Sequence, residues 1–383
     1  MLKKIECWKK VIRNETLLQA VSQCSLDDVA TMAKLRKQWT VDEITVAGEL
    51  NEARKKAANK LEYAKGLISD SIGVQQATSS AIASHKAKRF INQTNIFDLC
   101  CGIGADLRAL PEHSAGVDND PLRSWMAKEN TKKTVRTADV TTIELPPDSV
   151  IHIDPARRNS SGRIFELDAM LPTFSEVATI ANSVSGGCIK LSPAINPEDM
   201  IALSLPIEIE YIEEKNRLVQ AAVWFGLLAN NQEQVTATSI KHGVSFTGTA
   251  EQPVFATALS NWILEPNVAL ERAGLHGTLG NTFNATEPAP GIGLLTSEEN
   301  PESPWFTPFE ILETTSLRIE KVAKIVRALG CTQVEVKTRG KTIDPNAWQK
   351  KLNKKSTGPL LTIFALRLGK KRVALVTRRC AAL

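Results

Sequence analysis

The 383-residue chain has no apolar run near the about 20 residues that a membrane helix needs, so no spanning segment is expected. Its opening residues, MLKKIECWKKVIRNETLLQAV, carry lysines but no continuous apolar core, which argues against a signal peptide. It has no CxxC pair. The seven cysteines (Cys7, Cys24, Cys100, Cys101, Cys188, Cys331 and Cys380) are odd in number and scattered. A disulfide framework and a zinc site therefore have little support, no metal is expected, and a reducing cytoplasm fits best. The adjacent pair Cys100-Cys101 is badly spaced for redox or metal chemistry and suits the end of a buried strand. No Gly-Lys-Ser/Thr follows a glycine-rich turn, which excludes a P-loop.

What is present is globular. The apolar fraction is 43% and the charged fraction 23%, and the length suits two or three domains. The net charge of +5 hides an asymmetry: Glu310 to Leu383 holds 17 Lys+Arg against 5 Asp+Glu, while the rest holds 30 against 37. A basic segment joined to an acidic one points to a polyanionic partner, most often nucleic acid. A solvated lysine-rich surface is the plainer alternative.

Residues 1 to about 90 read as helices, with starts at Asn14-Glu15-Thr16 and Ser25-Leu26-Asp27-Asp28 and an apolar stripe Val46, Leu50, Ala53, Ala57, Leu61, Ala64. Gln75 to Arg89 reads as a further helix. From about 94 short apolar runs alternate with helical stretches: Asn95–Leu99, Ala115–Val117, Val150–Ile153 and Gly187–Leu191. That is the pattern of parallel βαβ units. Ile207–Glu213 and Leu218–Phe225 read as a hairpin closing the sheet. Gln234–Ile240 reads as a strand, Asn267–Leu279 as a helix, and Pro288 to Pro308 as a Pro/Gly/Ser-rich linker. A helix at Ser316–Leu329 and strands at Gln333–Lys337, Leu360–Arg367 and Arg372–Thr377 complete a small, basic α+β unit.

One stretch carries the chemistry: FDLCCGIGAD, Phe97 to Asp106. A strand, then Gly-x-Gly, then a helix lets backbone approach a ligand at the carboxyl edge of a parallel sheet. A dinucleotide fold wants a third glycine three residues after Gly104, where Leu107 stands, so a nicotinamide oxidoreductase is disfavoured. An S-adenosylmethionine pocket needs only the open turn and acids. Asp98 ends the first strand, where it can reach the cofactor's ammonium. Asp118 ends the second, where its carboxylate can accept both ribose hydroxyls. Asp139 follows the third and can take the adenine amine. Each acid alone is also a plausible helix start.

With Ile96–Asp106, Gly116-Val117-Asp118 and Asp154-Pro155-Ala156-Arg157-Arg158 on the page, the chain resembles the bacterial class I methyltransferases that end in a THUMP-like domain. Gln76-Ala77-Thr78-Ser79 with His85 to Phe90, Leu264 to Ala269 with Arg272 to Leu275, and Val334 to Gly340 agree, so the resemblance runs from about residue 70 to the end. It implies a Rossmann-like α/β sheet, S-adenosylmethionine and an RNA substrate. The expected organisation is a helical region at 1–90, a cofactor-binding methyltransferase domain at 91–230, a connecting segment at 231–305 and a basic THUMP-like RNA-binding domain at 306–383.

The expected cofactor residues are Asp98, Cys100, Gly102, Gly104, Asp118, Asn119, Asp139 and Val140; those facing the target base are Asp154, Pro155 and Arg157. Amino methyltransferases acting on nucleic acids often carry Asp/Asn-Pro-Pro-aromatic here, with the acid and a backbone carbonyl holding an exocyclic amine and the aromatic stacking on the base. Ala156 and Arg157 depart from that pattern; a guanidinium can stack on a base or clamp a phosphate. Phe165 and Trp224 are candidate stacking residues, though core positions suit them better, and Asn159 to Gly162 read as a loop over the site. His152 reads as packed within its strand. Lys337, Arg339, Lys341, Lys370, Lys371 and Arg372 are the expected phosphate contacts, on structured rRNA or tRNA because few aromatics interleave with them. The rivals are a small-molecule or protein methyltransferase, and a catalytically silent module that binds both cofactor and RNA.

Overall fold

A computed structural model describes residues 2–157, 170–256, 258–353 and 360–380. Within these the chain divides into two compact units, Met1–Ile209 with Gln220–Glu233, and Glu210–Val219 with Gln234–Leu383.

The first unit opens with six helices: α1 (Leu2–Val11), α2 (Glu15–Ser22), α3 (Val29–Leu35), α4 (Val41–Ala57), α5 (Ser71–Gln76) and α6 (Ser80–Ala87). Thr40 and Glu43 start α4 with a reciprocal capping box, each satisfying an orphan donor at the helix end. Trp8, Leu17, Ile44, Leu50 and Leu67 form a core shared with Ile103, Leu122 and Met126 of the sheet region. The helices thus pack directly on the glycine turn that Ile103 belongs to. The single helix expected over Gln75 to Arg89 is interrupted at Ala77-Thr78-Ser79, because the Ser79 hydroxyl caps a new start by accepting from the Ile82 N–H.

The alternating part runs β1 (Ile96–Leu99), α7 (Ala105–Ala109), β2 (Ala115–Asp118), α8 (Pro121–Thr131), β3 (Val135–Thr137), β4 (Val150–Ile153), β5 (Ala156–Arg157), β6 (Met170–Leu171), α9 (Phe174–Asn182) and β7 (Gly186–Leu191); β8 (Ile207–Glu214) and β9 (Arg217–Gly226) follow, their Glu210–Val219 part counted in the second unit. Parallel strands lie in the order β7-β4-β1-β2-β3, with β9 antiparallel beside β7. All four residues of β4 are buried, as covering a parallel sheet on both faces requires. The strand order reverses between β1 and β4, so the crevice outside their carboxyl ends is the expected ligand position. Lys215 and Asn216, both at positive φ, form the two-residue turn between β8 and β9.

The second unit contains β10 (Val235–Ser239) paired antiparallel with β11 (Val244–Gly248), then β12 (Trp262–Pro266), α10 (Val268–Arg272), α11 (His276–Thr282), β13 (Leu295–Ser297), β14 (Phe306–Ser316), α12 (Ile319–Ala328), β15 (Gln333–Thr338), α13 (Pro345–Leu352), β16 (Leu360–Leu368) and β17 (Lys371–Arg379). Six strands form one sheet, β13-β12-β14-β17-β16-β15. Val322 and Val326 of α12 pack on Val334, Ile363 and Val376 of that sheet. The expected linker at 288–308 is instead part of this fold: Leu294 and Leu295 are buried, β13 pairs with β12, and β14 begins at Phe306. Its Pro and Gly content marked turns rather than a free connection. The helix expected over Asn267–Leu279 is two helices broken at Gly274, whose φ of 70° no right-handed helix accommodates. The helix expected from Ser316 starts at Ile319 because β14 runs through Ser316.

Candidate active site

β1 ends at Leu99, and the chain turns through Cys100, Gly102 and Gly104, all with positive φ (57°, 57° and 83°). At Gly104 the space is closed: an added Cβ would lie 2.7 Å from Thr131 Cγ2 and 3.2 Å from Ala127 Cα, so this glycine lets α7 approach α8. At Gly102 it is open, and a Cβ would meet nothing within 4 Å. The backbone there borders free space at the carboxyl edge of the sheet. The Gly102 N–H donates to Asp118 Oδ2 (2.8 Å), and the Asp120 N–H donates to Asp118 Oδ1 (2.9 Å). β2 thus delivers its terminal carboxylate to the glycine turn. Burial pushes the Asp118 carboxyl above the usual aspartate range, against the opposing pull of those two N–H donors.

Beneath the turn lies a buried polar network. The parallel register puts Asp98 beside His152, His152 beside Cys188, and Ile153 beside Ile189. Side chains two residues apart share a face. Asp98, His152, Asp154 and Lys190 therefore line one face over three neighbouring strands. Lys86 of α6 enters from above, 2% exposed, with Nζ 2.7 Å from His152 Nε2 and 2.8 Å from Asp106 Oδ1. An ammonium only donates, so Nε2 is the acceptor and His152 carries its proton on Nδ1. That proton is donated to Asp98 Oδ1 at 2.7 Å. The Thr78 hydroxyl donates to Asp106 Oδ2. Burial penalises the Asp106 carboxylate, but the charges of Lys86 and Lys190 and the nearby His152 outweigh it and hold the carboxyl far below the usual range. Burial pushes Asp98 upward against the pull of His152. Asp98 Oδ2 is buried and has no hydrogen-bond partner among the described residues. The open backbone at Gly102 and this orphaned oxygen suit a ligand that takes close backbone approach and brings a positive group.

Asp154 follows β4, one strand from the glycine turn. Its Oδ2 accepts from Lys190 Nζ at 2.5 Å, and its backbone N–H donates to Leu99 O.

The fold and its parts have counterparts. Residues 306–379 match the family model described as THUMP domain-like. The chain is 29% identical over 343 residues to an uncharacterised S-adenosylmethionine-dependent methyltransferase of Mycobacterium tuberculosis, found in two strains, covering 85% of this chain and 93% of that protein. The crystal structure of a putative methyltransferase from Porphyromonas gingivalis W83 superposes with a TM-score of 0.75 at 18% identity, over 90% of this chain and 92% of that one. Over most of its length the chain is similar to S-adenosylmethionine-dependent methyltransferases, and it has the fold of a methyltransferase. It carries a THUMP-like domain at its C-terminal end.

In this chain the expected cofactor residues occupy different settings. Asp98, Gly102, Gly104 and Asp118 surround the turn. Asp98, expected at the end of the first strand, is its third residue, stands 1% exposed and is tied to His152. Cys100 is half-buried, and burial, with Asp118 next, pushes its thiol well up, which leaves it a thiol rather than a nucleophile. Asn119 is exposed. Asp139 is exposed and accepts from Thr141 N and Oγ1, which starts a turn; Val140 beside it is buried. Pro155 is buried. Arg157 lies in β5. Arg158, the Asn159 to Gly162 loop and Phe165 lie outside the described residues. Trp224 is fully buried against Phe90 with Arg89 over its ring, so it is core.

In the second unit Lys337 Nζ lies 2.5 Å from Glu265 Oε2, and Arg339 Nη1 lies 3.1 Å from Glu271 Oε1. Those two expected phosphate contacts are engaged within the protein. Lys341, Lys370, Lys371 and Arg372 are exposed. Sequence reasoning did not single out Lys190 or Lys86. A signal existed for Lys190, the one charged residue in the apolar run Gly187–Leu191. None existed for Lys86, which stands among Lys88, Arg89 and His85.

Proposed function

We propose that the protein methylates a base in structured RNA such as rRNA or tRNA, at an exocyclic amine. What supports this reading most is Asp154-Pro155 at the carboxyl end of β4, beside the open glycine turn, in a chain that also carries a basic THUMP-like domain. Asp98, Gly102 and Asp118 would hold the cofactor, and Asp139 and Val140 would border its adenine. When bound, the cofactor supplies an electrophilic methyl group whose transfer leaves sulfur neutral and frees a proton from the acceptor nitrogen. Asp154 Oδ1 makes no hydrogen bond among the described residues, so it is available to accept from an acceptor N–H and orient that nitrogen. Pro155 stiffens the backbone behind it, and Arg157 would contact base or phosphate. Lys341, Lys370, Lys371 and Arg372 would meet phosphates, while Lys337 and Arg339 would first have to leave their glutamates.

The test is transfer of labelled methyl to total RNA from a strain lacking the gene, with Asp154→Ala alongside. Label entering one RNA species, lost in the variant, supports the reading. Label reaching only protein or small molecules, or none despite bound cofactor, overturns it in favour of another acceptor or a silent module.

A further inference from the structure

We infer that Lys190 is a positioning residue for methyl transfer, acting through Asp154. This rests on the reading of Asp154 given above but not on RNA as the acceptor. Lys190 sits in β7 between two hydrogen-bonded neighbours, β4 on one side and β9 on the other, where Lys190 pairs with Ala222. Its backbone is therefore fixed. Continuing the register one step beyond Ile153 and Ile189 brings Asp154 and Lys190 side by side on the same face. Their charged atoms meet at 2.5 Å, with the lysine side chain 16% and the aspartate 30% exposed.

The consequence is geometric. A carboxylate after the last residue of a strand rotates about two torsions and exchanges its oxygens. Lys190 holds Oδ2, so Oδ1 is left in one place to accept the acceptor's N–H. A charge-assisted bond of this length is among the stronger restraints on a side chain. Lys190 touches neither the acceptor nor the methyl group in this scheme. The atoms that change partners are the methyl carbon, which leaves sulfur with the bonding pair remaining on sulfur, and the acceptor nitrogen, which gains the carbon and releases its proton to solvent.

The experiment measures labelled methyl incorporation by the full chain into an extract from a strain lacking the gene. RNase and protease digestion then identify the acceptor class separately. Lys190→Met, Lys190→Arg, Asp154→Asn and the Asp154→Asn/Lys190→Met double variant are compared, with cofactor affinity measured by calorimetry for each. Lys190→Met is expected to lower the transfer rate about 10- to 100-fold, the range for losing a charged hydrogen bond, with cofactor affinity unchanged within about twofold. Lys190→Arg is expected to recover most of the rate. The double variant is expected to be no slower than Asp154→Asn alone, because the lysine acts only through that carboxylate. Full activity in Lys190→Met, or independent, multiplying losses in the double variant, overturns the inference. Label insensitive to RNase but sensitive to Lys190→Met overturns the RNA reading and keeps this one. No transfer by the unaltered chain to any fraction overturns both.

Discussion

Lys86→Met tests whether the buried network holds this fold together. Methionine keeps most of the volume and removes only the charge, so the cavity contribution is small. What remains is a carboxylate at Asp106, 8% exposed, retaining the Thr78 hydroxyl but stripped of its nearest cation, and an imidazole Nε2 with nothing to accept from. Breaking a buried pair from one side costs about 3–5 kcal/mol. In a unit of this size that is about 6–20 °C in Tm. Calorimetric melting should show the transition that involves the first unit falling by that amount. The pH dependence has a definite sign. In the native chain the folded Asp106 pKa lies below its unfolded value, so its stabilisation is present above the unfolded pKa and is lost as pH falls through the folded one. In the variant burial is unopposed by Lys86, so the folded pKa moves upward and protonation relieves the penalty. The gap between the two proteins should narrow on acidification, as pH falls through the raised Asp106 pKa of the variant. Adding Asp106→Asn to Lys86→Met should recover part of the loss, since the orphaned charge is gone. A Met variant within about 1 kcal/mol of the native chain at pH 7, the size of an ordinary substitution, would refute the reasoning.

Two further outcomes follow from the site and the basic domain. Asp118→Asn should weaken cofactor binding about 10- to 100-fold by calorimetry, the worth of a charged acceptor. Because burial raises Asp118, affinity in the unaltered chain should fall on acidification from above the ordinary aspartate range, and the Asn variant should be flat through that window. A flat profile in the unaltered chain would remove Asp118 from the ligand contact. Replacing Lys370, Lys371 and Arg372 together by alanine should reduce the salt slope of binding to a structured RNA by about 2–3, since each phosphate contact contributes about 0.7–0.9. An unchanged slope would move the RNA surface elsewhere.

The alternating sheet was legible because buried parallel strands are short and apolar, and three of the four runs end in an acid or a glycine turn. Asp98, Gly102, Asp118 and Asp154 could be placed from those strand ends alone. The region from 267 to 308 was not legible in the same way. Gly274 sits inside a helix-like run, and only the folded chain shows that it breaks the helix. The prolines and glycines after 287 frame a short strand whose pairing partner, β12, lies about thirty residues earlier. Pairing across such a separation leaves no local signature. The basic tail was legible as charge but not as free charge. Lys337 and Arg339 reach Glu265 and Glu271, and acids some seventy residues away in sequence cannot be read as partners.

The same limit explains why the acids were found and the lysines were not. A carboxylate at a strand end is visible as punctuation. A lysine answering it from another element is visible only through register or packing, as Lys190 is beside Asp154 and Lys86 above His152 and Asp106. The balance among them then bears on the ligand. Lys86 stands between two buried carboxyl groups, Asp106 beside its Nζ and Asp98 beyond the His152 imidazole. It settles on Asp106, whose pKa falls, and leaves Asp98, whose pKa rises and whose Oδ2 has no donor among the described residues. A buried acid left in that state gains most from a cation placed beside it. The methionyl ammonium of the cofactor is such a cation. The lysine that stabilises one aspartate therefore leaves the other available for the ligand, and replacing Lys86 should change cofactor affinity as well as stability.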